Sequence, residues 1–325
     1  MKKLNWGIIG LGKVAETFAN GFSSSSNAKL LSVASKDKLK LEKFSSIFKI
    51  EKNFLFNNYE DLINCNEIDI IYIALPNVFH YFWTAKSIQN NKNVLVEKPA
   101  TMSVIEAENI KKNLINKNIF FSEGYMYRYL PQIELILKII KDNKIGDLVS
   151  LESNFGINIL TKKKFFIFNR KKKINPNDRK FNKDLGGGCI YDLGCYPSSF
   201  SLLINSLNNN KSNEFKIIDI KNEIGETGVE IDASANISFN NSFNAKLNSS
   251  FKRNLGSEST IKGTKGSIII KDTWQGDKVI LNSDKKNYDE FNLGKKKNIY
   301  SYQIEKLSED VINGKLHPNY PGMSI

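Results

Sequence analysis

Cysteine and histidine are scarce in this chain of 325 residues. The cysteines are Cys65, Cys189 and Cys195, and the histidines are His80 and His317. An odd number of cysteines argues against a disulfide framework, and no cysteine pair has zinc-like spacing to a histidine. We therefore predict reduced thiols, no metal site and a cytoplasmic location.

Long apolar runs are also missing. Hydrophobic residues make up 41% of the chain, enough for a sizeable core, but no apolar run reaches the length of a membrane span. The short apolar run after Met1-Lys2-Lys3 soon meets Lys13 and Glu16, which is typical of a core strand rather than an export signal. We predict no membrane partner.

Acidic residues are outnumbered by basic ones, and the net charge is +13. One interpretation is a nucleic-acid partner. The other is composition, because lysine, asparagine and isoleucine are abundant along the whole chain. No aromatic RNA-binding motif or recognition-helix pattern accompanies the basic clusters, so we predict no nucleic-acid partner. The charge could instead attract an anionic substrate or a phosphorylated cofactor.

The pattern of strands and helices divides the chain in two. Up to residue 124, apolar strands alternate with helical stretches, which favours parallel βαβ units in a doubly wound sheet. Later, consecutive strand-like segments separated by turn residues favour an antiparallel sheet. We predict an α/β domain over residues 1–124 and an α+β domain over residues 125–325.

The first predicted strand leads into Gly10-Leu11-Gly12-Lys13-Val14-Ala15, a Gly-x-Gly-x-x-Ala pattern. Gly10 would permit the turn from strand to helix, Gly12 would let the backbone approach a pyrophosphate, and Ala15 would allow close packing. The diphosphate would lie at the helix N-terminus. The alternative is an ordinary glycine-rich turn between a strand and a helix.

Cofactor choice depends on the end of the second strand. An NAD site would place an acidic side chain where the ribose hydroxyls lie. Here Ser35 and Lys36 occupy that position, and Asp37 follows where it could cap the next helix. A hydroxyl and a cation suit a 2′-phosphate, so we predict NADP rather than NAD.

Two further strand ends carry polar residues. After the strand that ends near Ala74, the sequence continues Leu75-Pro76-Asn77 and reaches His80. Ligands bind beyond the carboxyl ends of parallel strands, so these residues could meet the cofactor. The alternatives are that Asn77 is a helix N-cap and that His80 has a local structural role.

The next strand ends in Glu97-Lys98-Pro99. Charges at the end of a buried strand are costly unless they have a partner or a task, so Lys98 would point towards the nicotinamide. The alternative is a surface ion pair at an exposed strand end.

A third motif runs from Gly186 to Pro197. Asp192 and Tyr196 are four residues apart on a predicted helix, hence on one face. A carboxylate and a phenol on one face suit a polyol, although a phenol needs a nearby cation to act as a base near neutral pH. The alternative is a glycine-packed helix start with Tyr196 in the core.

In these motifs, together with Glu123-Gly124-Tyr125-Met126-Tyr127-Arg128-Tyr129, the chain resembles the glucose–fructose oxidoreductase and inositol dehydrogenase family (Gfo/Idh/MocA). The similarity spans nearly the whole chain. Tyr196, where inositol dehydrogenases have histidine, resembles the branch of dihydrodiol and xylose dehydrogenases. The resemblance implies an N-terminal Rossmann domain and a C-terminal domain with a large, mostly antiparallel sheet.

The resemblance also implies roles. Tyr196 would be the general acid and base, assisted by Lys98, and Asp192 would hold a substrate hydroxyl. Substrate contacts would come from Lys98, Arg128, Arg179, Asp192 and Tyr196. We predict cofactor contacts from Gly10, Gly12, Lys13, Val14, Ser35, Lys36, Leu75, Pro76, Asn77, His80, Glu97, Lys98 and Tyr125.

The function implied is NADP-dependent hydride transfer between nicotinamide and a carbinol or carbonyl carbon of a sugar or cyclic polyol. Two alternatives stay open: an enzyme that keeps nicotinamide bound and uses it transiently, and a non-catalytic nucleotide-binding regulator. The resemblance implies a homo-oligomer formed through the C-terminal sheet. Relatives of this branch continue past a segment like Pro321-Gly322-Met323 into a final helix, so we expect this chain to be truncated.

Overall fold

The computed structural model describes residues 3–164, 168–208, 214–239, 243–283, 288–294 and 297–318. The chain forms two compact units, one of Met1–Tyr129 with Lys296–Ile325 and one of Leu130–Lys295. The sequence placed everything after residue 124 in the second domain. The structure instead groups the C-terminal helix with the first unit, because that helix packs on the N-terminal strands and helices. The segment around Pro321 lies outside the described residues.

The first unit contains a sheet of six parallel strands in the order β3-β2-β1-β4-β5-β6. The strands are β1 Leu4–Ile9, β2 Ala28–Ala34, β3 Leu55–Phe56, β4 Ile70–Ile73, β5 Asn93–Val96 and β6 Phe121–Glu123. The strand order reverses between β1 and β4, the kind of point where ligands bind in open parallel sheets. The predicted doubly wound sheet is confirmed.

Eight α-helices are found in the described part of the chain. They are α1 Lys13–Ala19, α2 Lys38–Phe48, α3 Tyr59–Asn64, α4 His80–Gln89, α5 Val104–Leu114, α6 Pro131–Lys141, α7 Cys195–Asn205 and α8 Ile299–Ile312. None of the helices in the described ranges is both long and apolar enough to cross a bilayer.

Helix α8 completes the core of the first unit. The indole N–H of Trp6 donates to the Ser308 hydroxyl at 3.0 Å, and the Ser301 hydroxyl donates to the Gly21 carbonyl at 2.8 Å. The rings of Phe18 and Tyr300 lie 5.6 Å apart, edge to face. Docking of α8 therefore buries aromatic side chains, which stabilises the first unit.

The second unit is built on an eight-stranded sheet in the order β10-β11-β12-β7-β13-β14-β15-β16, and β8 and β9 form a separate pair. The strands are β7 Leu148–Gly156, β8 Thr161–Lys164, β9 Phe168–Lys171, β10 Phe215–Ile224, β11 Glu230–Phe239, β12 Asn244–Ser250, β13 Ser259–Gly263, β14 Ser267–Ile270, β15 Lys278–Asn282 and β16 Tyr288–Asn292. Within the eight-stranded sheet, β12 and β7 pair in parallel and the other neighbours pair antiparallel. The predicted mostly antiparallel sheet is confirmed.

A short π-helix, Ile190–Gly194, leads directly into α7. Its wider turn is closed by the Cys195 N–H, which donates to the Ile190 carbonyl five residues earlier. The sequence predicted an ordinary helix for the segment that bears Asp192 and Tyr196. A β-carbon at Gly194 would lie 3.0 Å from the Ser249 hydroxyl of β12, so glycine allows this turn to approach the sheet closely.

Candidate active site

The predicted cofactor residues of the first unit all follow the carboxyl ends of parallel strands. Gly10–Val14 follow β1, Ser35 and Lys36 follow β2, Leu75–His80 follow β4, Glu97 and Lys98 follow β5, and Tyr125 follows β6. Because the strands are parallel, these loops all lie at one edge of the sheet.

The glycine-rich turn has the geometry that a dinucleotide needs. Gly10 has a φ of +88°, and a β-carbon there would lie 2.6 Å from the Ala74 carbonyl oxygen. At Gly12 a β-carbon would meet no heavy atom within 4 Å, and no side chain caps the N-terminus of α1 there. Ala15 is fully buried. The space beside Gly12 and the uncapped N–H groups of α1 therefore fit a diphosphate.

The loop after β2 presents a cation and a hydroxyl. Ser35 is buried, and its hydroxyl accepts the Asp37 N–H at 3.1 Å. The Lys36 ammonium lies 5.9 Å from the centre of the Tyr59 ring. The Asp37 carboxylate caps α2 by accepting the Lys40 N–H at 3.2 Å, as the sequence suggested. This carboxylate is thus engaged by the helix that follows it.

The loop after β4 is fixed by His80, which is fully buried. Its two ring nitrogens each lie 2.7 Å from a carbonyl oxygen, Nδ1 from that of Pro99 and Nε2 from that of Leu75. The imidazole therefore joins the loop after β4 to the loop after β5. The alternative that Asn77 is an N-cap is wrong, because Pro76 occupies the N-cap position of the 3₁₀ turn Asn77–Phe79 and Phe79 occupies that of α4.

The loop after β5 carries the two charged residues singled out in the sequence. Glu97 is buried and accepts a short hydrogen bond from the Tyr72 hydroxyl. Lys98 is half-buried, and the Lys98–Pro99 peptide bond is cis. The interpretation as a surface ion pair is wrong for Glu97, because its carboxylate bonds to a fully buried tyrosine.

The sequence gave no role to Glu123, the last residue of β6. Its carboxylate accepts the Ala100 N–H at 2.8 Å. Some of its surface reaches solvent, yet protein atoms surround the carboxylate, and this desolvation raises the pKa of Glu123. The Ala100 N–H, the Arg128 charge and the Tyr125 hydroxyl oppose that rise, and the Glu97 charge adds to it. The available signal was a second glutamate ending a neighbouring parallel strand.

Arg128 lies in the first unit and is 3% exposed. Its guanidinium carbon lies 5.5 Å from the centre of the Tyr125 ring and 6.0 Å from that of Tyr127. Such distances allow cation–π attraction, so aromatic rings help to hold this arginine.

The second unit brings together the other three predicted residues. Arg179 Nη1 donates to the Asp192 carboxylate at 3.1 Å, and the Asp192 side chain is 11% exposed. Tyr196 is buried, with its ring centre 5.2 Å from that of Phe155 and 5.4 Å from that of Trp274. A polar pair thus lies one helical turn before a tyrosine with aromatic neighbours.

Glycines explain how Arg179 is held near Asp192. Gly187 donates its N–H to the Asn182 carbonyl and Gly188 donates to the Lys180 carbonyl, each at 2.9 Å. A β-carbon at Gly187 would lie 2.8–2.9 Å from the carbonyl oxygens of residues 179, 180 and 182. The loop that bears Arg179 can therefore close only over a glycine.

Comparison with known proteins agrees with this architecture. Residues 4–125 match the profile described as "Oxidoreductase family, NAD-binding Rossmann fold", and residues 133–269 match the "GFO/IDH/MocA C-terminal domain". Trans-1,2-dihydrobenzene-1,2-diol dehydrogenase of Xenopus tropicalis is 26% identical over 317 residues, which cover 95% of this chain and 89% of that protein.

Two solved structures share the fold. The 3-ketoreductase KijD10 from Actinomadura kijaniata, in complex with NADP and TDP-benzene, has a TM-score of 0.80 and 19% identity, covering 99% of this chain and 93% of its own. Levoglucosan dehydrogenase, in complex with NADH and levoglucosan, has a TM-score of 0.80 and 16% identity, with the same two coverages. The parallel sheet, the glycine turn and the matches to both domain profiles lead to one conclusion: this chain belongs to the Gfo/Idh/MocA family of NAD(P)-dependent oxidoreductases, which act on CH–OH groups.

Proposed function

We propose that the protein is an NADP-dependent oxidoreductase that transfers a hydride between nicotinamide and a carbinol or carbonyl carbon of a sugar or cyclic polyol. The observation that carries this proposal is the Arg179–Asp192 pair one turn before Tyr196. A carboxylate can accept a bond from one substrate hydroxyl while a phenol exchanges the proton of another. The names of two similar proteins, a dihydrobenzenediol dehydrogenase and levoglucosan dehydrogenase, support this substrate class.

Three side chains would share the work. Tyr196 takes the hydroxyl proton when the alcohol is oxidised and returns it when the carbonyl is reduced. Lys98 supplies a positive charge that favours the developing alkoxide of the substrate. Asp192 orients the substrate by accepting a second hydroxyl, with Arg128 and Arg179 as further substrate contacts. When bound, the nicotinamide supplies the hydride acceptor or donor, and the protein supplies position and charge.

We infer NADP rather than NAD from the loop after β2. The Ser35 hydroxyl accepts one backbone bond and can still donate its hydrogen, and Lys36 adds a cation. The Asp37 carboxylate, which an NAD site would need for the ribose, is engaged as a helix cap. Among relatives of this fold, one structure contains NADP and another contains NADH.

A fluorescence titration with NADPH and NADH tests the cofactor proposal. We expect NADPH to bind more tightly, and Lys36→Ala to weaken NADPH selectively by about tenfold, the scale of one lost charge-assisted bond. Lys43→Ala is the control, because the ammonium of Lys43 forms an exposed ion pair with Glu16, and such a pair contributes little. Equal loss of both cofactors, or a preference for NADH, would contradict NADP specificity.

Turnover of a panel of sugars, cyclic polyols and diols tests the acid–base assignment. We expect Tyr196→Phe to bind NADPH as the unaltered protein does, with kcat lower by about 10²–10⁴-fold. Tyr288→Phe removes a phenol from an exposed strand and should leave kcat unchanged. Normal turnover by Tyr196→Phe would contradict the assignment of Tyr196 as the general acid and base.

We further propose a homo-oligomer formed through the second unit. The edge strand β10 exposes Phe215, Ile217, Ile218, Ile220 and Ile224. Exposed apolar side chains on a sheet edge favour association. Light scattering should give a mass above that of one chain, and Ile220→Lys should shift the equilibrium towards monomer.

The three cysteines support a cytoplasmic location, which we also propose. Cys65, Cys189 and Cys195 are all free thiols in the structure. Burial raises the pKa of Cys189 to about 11, so this thiol stays protonated and unreactive at neutral pH. Fractionation of cells that produce the tagged protein would test the location.

A further inference from the structure

Two side chains from neighbouring elements hold the backbone that directly follows Lys98. His80 contacts the Pro99 carbonyl oxygen at 2.7 Å, and Glu123 accepts the Ala100 N–H at 2.8 Å. His80 begins α4 and Glu123 ends β6, so the segment Lys98–Ala100 is bonded on both sides within the first unit. The position of the Lys98 ammonium depends on how firmly this segment is fixed.

Glu123 is the more informative of the two holding residues. Its carboxylate bonds to the Ala100 N–H and to the Tyr125 hydroxyl and feels the charges of Arg128 and Glu97. An ionised carboxylate only accepts hydrogen bonds, and both of these partners donate. Burying a carboxylate costs free energy that a neutral side chain would avoid. A glutamate at this position therefore suggests a task beyond packing.

A second glutamate in the same region gives the comparison. The Glu106 carboxylate accepts the Met102 N–H at 2.8 Å, and the Glu106 N–H donates to the Ser103 hydroxyl at 3.3 Å. This reciprocal pair is a variant of the capping box at the start of α5, in which the carboxylate reaches the N–H one residue before the N-cap Ser103, so helix capping explains Glu106. Glu123 makes the same kind of bond to the loop but ends a strand, so helix capping does not explain it.

We propose that Glu123 is a positioning residue for Lys98. The Glu123 carboxylate accepts hydrogen bonds from the Ala100 N–H and the Tyr125 hydroxyl. These bonds fix the segment Lys98–Ala100 and thereby the position of the Lys98 ammonium. Lys98 then needs no rearrangement before it can act, which is the preorganisation that such charges require. The kinetic consequence rests on the proposed function, whereas the structural consequence for Lys98 does not.

Three variants test the kinetic consequence. We expect Glu123→Ala to lower kcat by about tenfold to a hundredfold, because Lys98 is then no longer held in place. Glu123→Gln should restore most of kcat, because its amide oxygen can accept the Ala100 N–H. Glu106→Ala, the matched control, should keep kcat. A normal kcat for Glu123→Ala, or a Gln variant as slow as the Ala variant, would overturn the proposal.

A second readout does not depend on turnover. The rate at which acetic anhydride modifies Lys98 can be measured by mass spectrometry, with exposed Lys111 as the internal reference. We expect this relative rate to change by about threefold or more in Glu123→Ala, and to stay unchanged in Glu123→Gln and Glu106→Ala. An unchanged rate in Glu123→Ala would refute the positioning role. If the unaltered protein oxidises no sugar or polyol, the proposed function fails while the labelling still decides this point.

Discussion

The two units hold their candidate residues by different means. In the first unit these residues stand in loops at the ends of parallel strands, and side chains such as His80 and Glu123 tie one loop to the next. In the second unit Asp192 and Tyr196 stand on one helix, whose first turn is widened to a π-helix. The placement of the candidate residues in the first unit therefore depends on hydrogen bonds between loops. In the second unit the placement of Asp192 and Tyr196 depends on one irregular helical turn.

Gly10→Ala should cause the largest loss of stability in the first unit. The positive φ and the 2.6 Å approach to the Ala74 carbonyl leave no room for a β-carbon. We expect a loss of about 2–4 kcal/mol in the free energy of unfolding, the sum of left-handed strain and a steric clash. Urea unfolding measures it. A loss below about 1 kcal/mol would contradict this account.

Gly12→Ala is the matched control and sharpens the comparison. A β-carbon there meets nothing within 4 Å, and the backbone φ of −86° suits any residue. We expect stability to stay within about 1 kcal/mol while NADPH affinity falls, because the methyl group enters the proposed diphosphate space. Unchanged NADPH affinity would place the diphosphate elsewhere.

Gly187→Ala is the corresponding change in the second unit. Three carbonyl oxygens within 2.9 Å of the added carbon would have to shift, moving Arg179 from Asp192. We expect a loss of about 1–3 kcal/mol in stability and a higher KM for the sugar or polyol. NADPH binding, which we attribute to the first unit, should not change. A variant that loses NADPH binding but keeps the KM for the sugar or polyol would contradict the assignment of cofactor binding to the first unit and substrate binding to the second.

Glu123→Gln has the smallest expected effect, seen in the pH dependence of stability. Burial raises the pKa of Glu123 in the fold, opposed by its bond to the Ala100 N–H and by Arg128. The fold therefore keeps this proton to higher pH than the unfolded chain, and wild-type stability falls as pH rises through that window. Because glutamine does not titrate, the difference in unfolding free energy, variant minus wild type, should increase as the pH rises above the ordinary glutamate pKa of about 4.5. A difference in unfolding free energy that does not change with pH would refute the raised pKa of Glu123.

The sequence predicted most of the first unit, since strand–turn–helix alternation and the glycine motif are local patterns. It missed β3, which has two residues and shows no periodicity, and the alternative that Asn77 is an N-cap was wrong, because Pro76 and Phe79 occupy the N-cap positions. Glu123 was not singled out because the bond that it accepts from the Ala100 N–H joins residues 23 positions apart in the chain. In the second unit the π-helix escaped prediction, since hydrophobic periodicity gives no sign of one wider turn. The sequence grouped the C-terminal helix with the second domain, because a local pattern does not show what a helix packs against.

Helix α8 also bears on how the protein is made. Trp6 and Phe18 are synthesised early, but α8, the helix that packs against them, is translated only after the whole second unit. On the ribosome, the second unit is thus free to fold while the first still exposes aromatic surface. We expect the nascent first unit to depend on chaperones until α8 emerges, so acquisition of nucleotide would be one of the last events in the biogenesis of this enzyme.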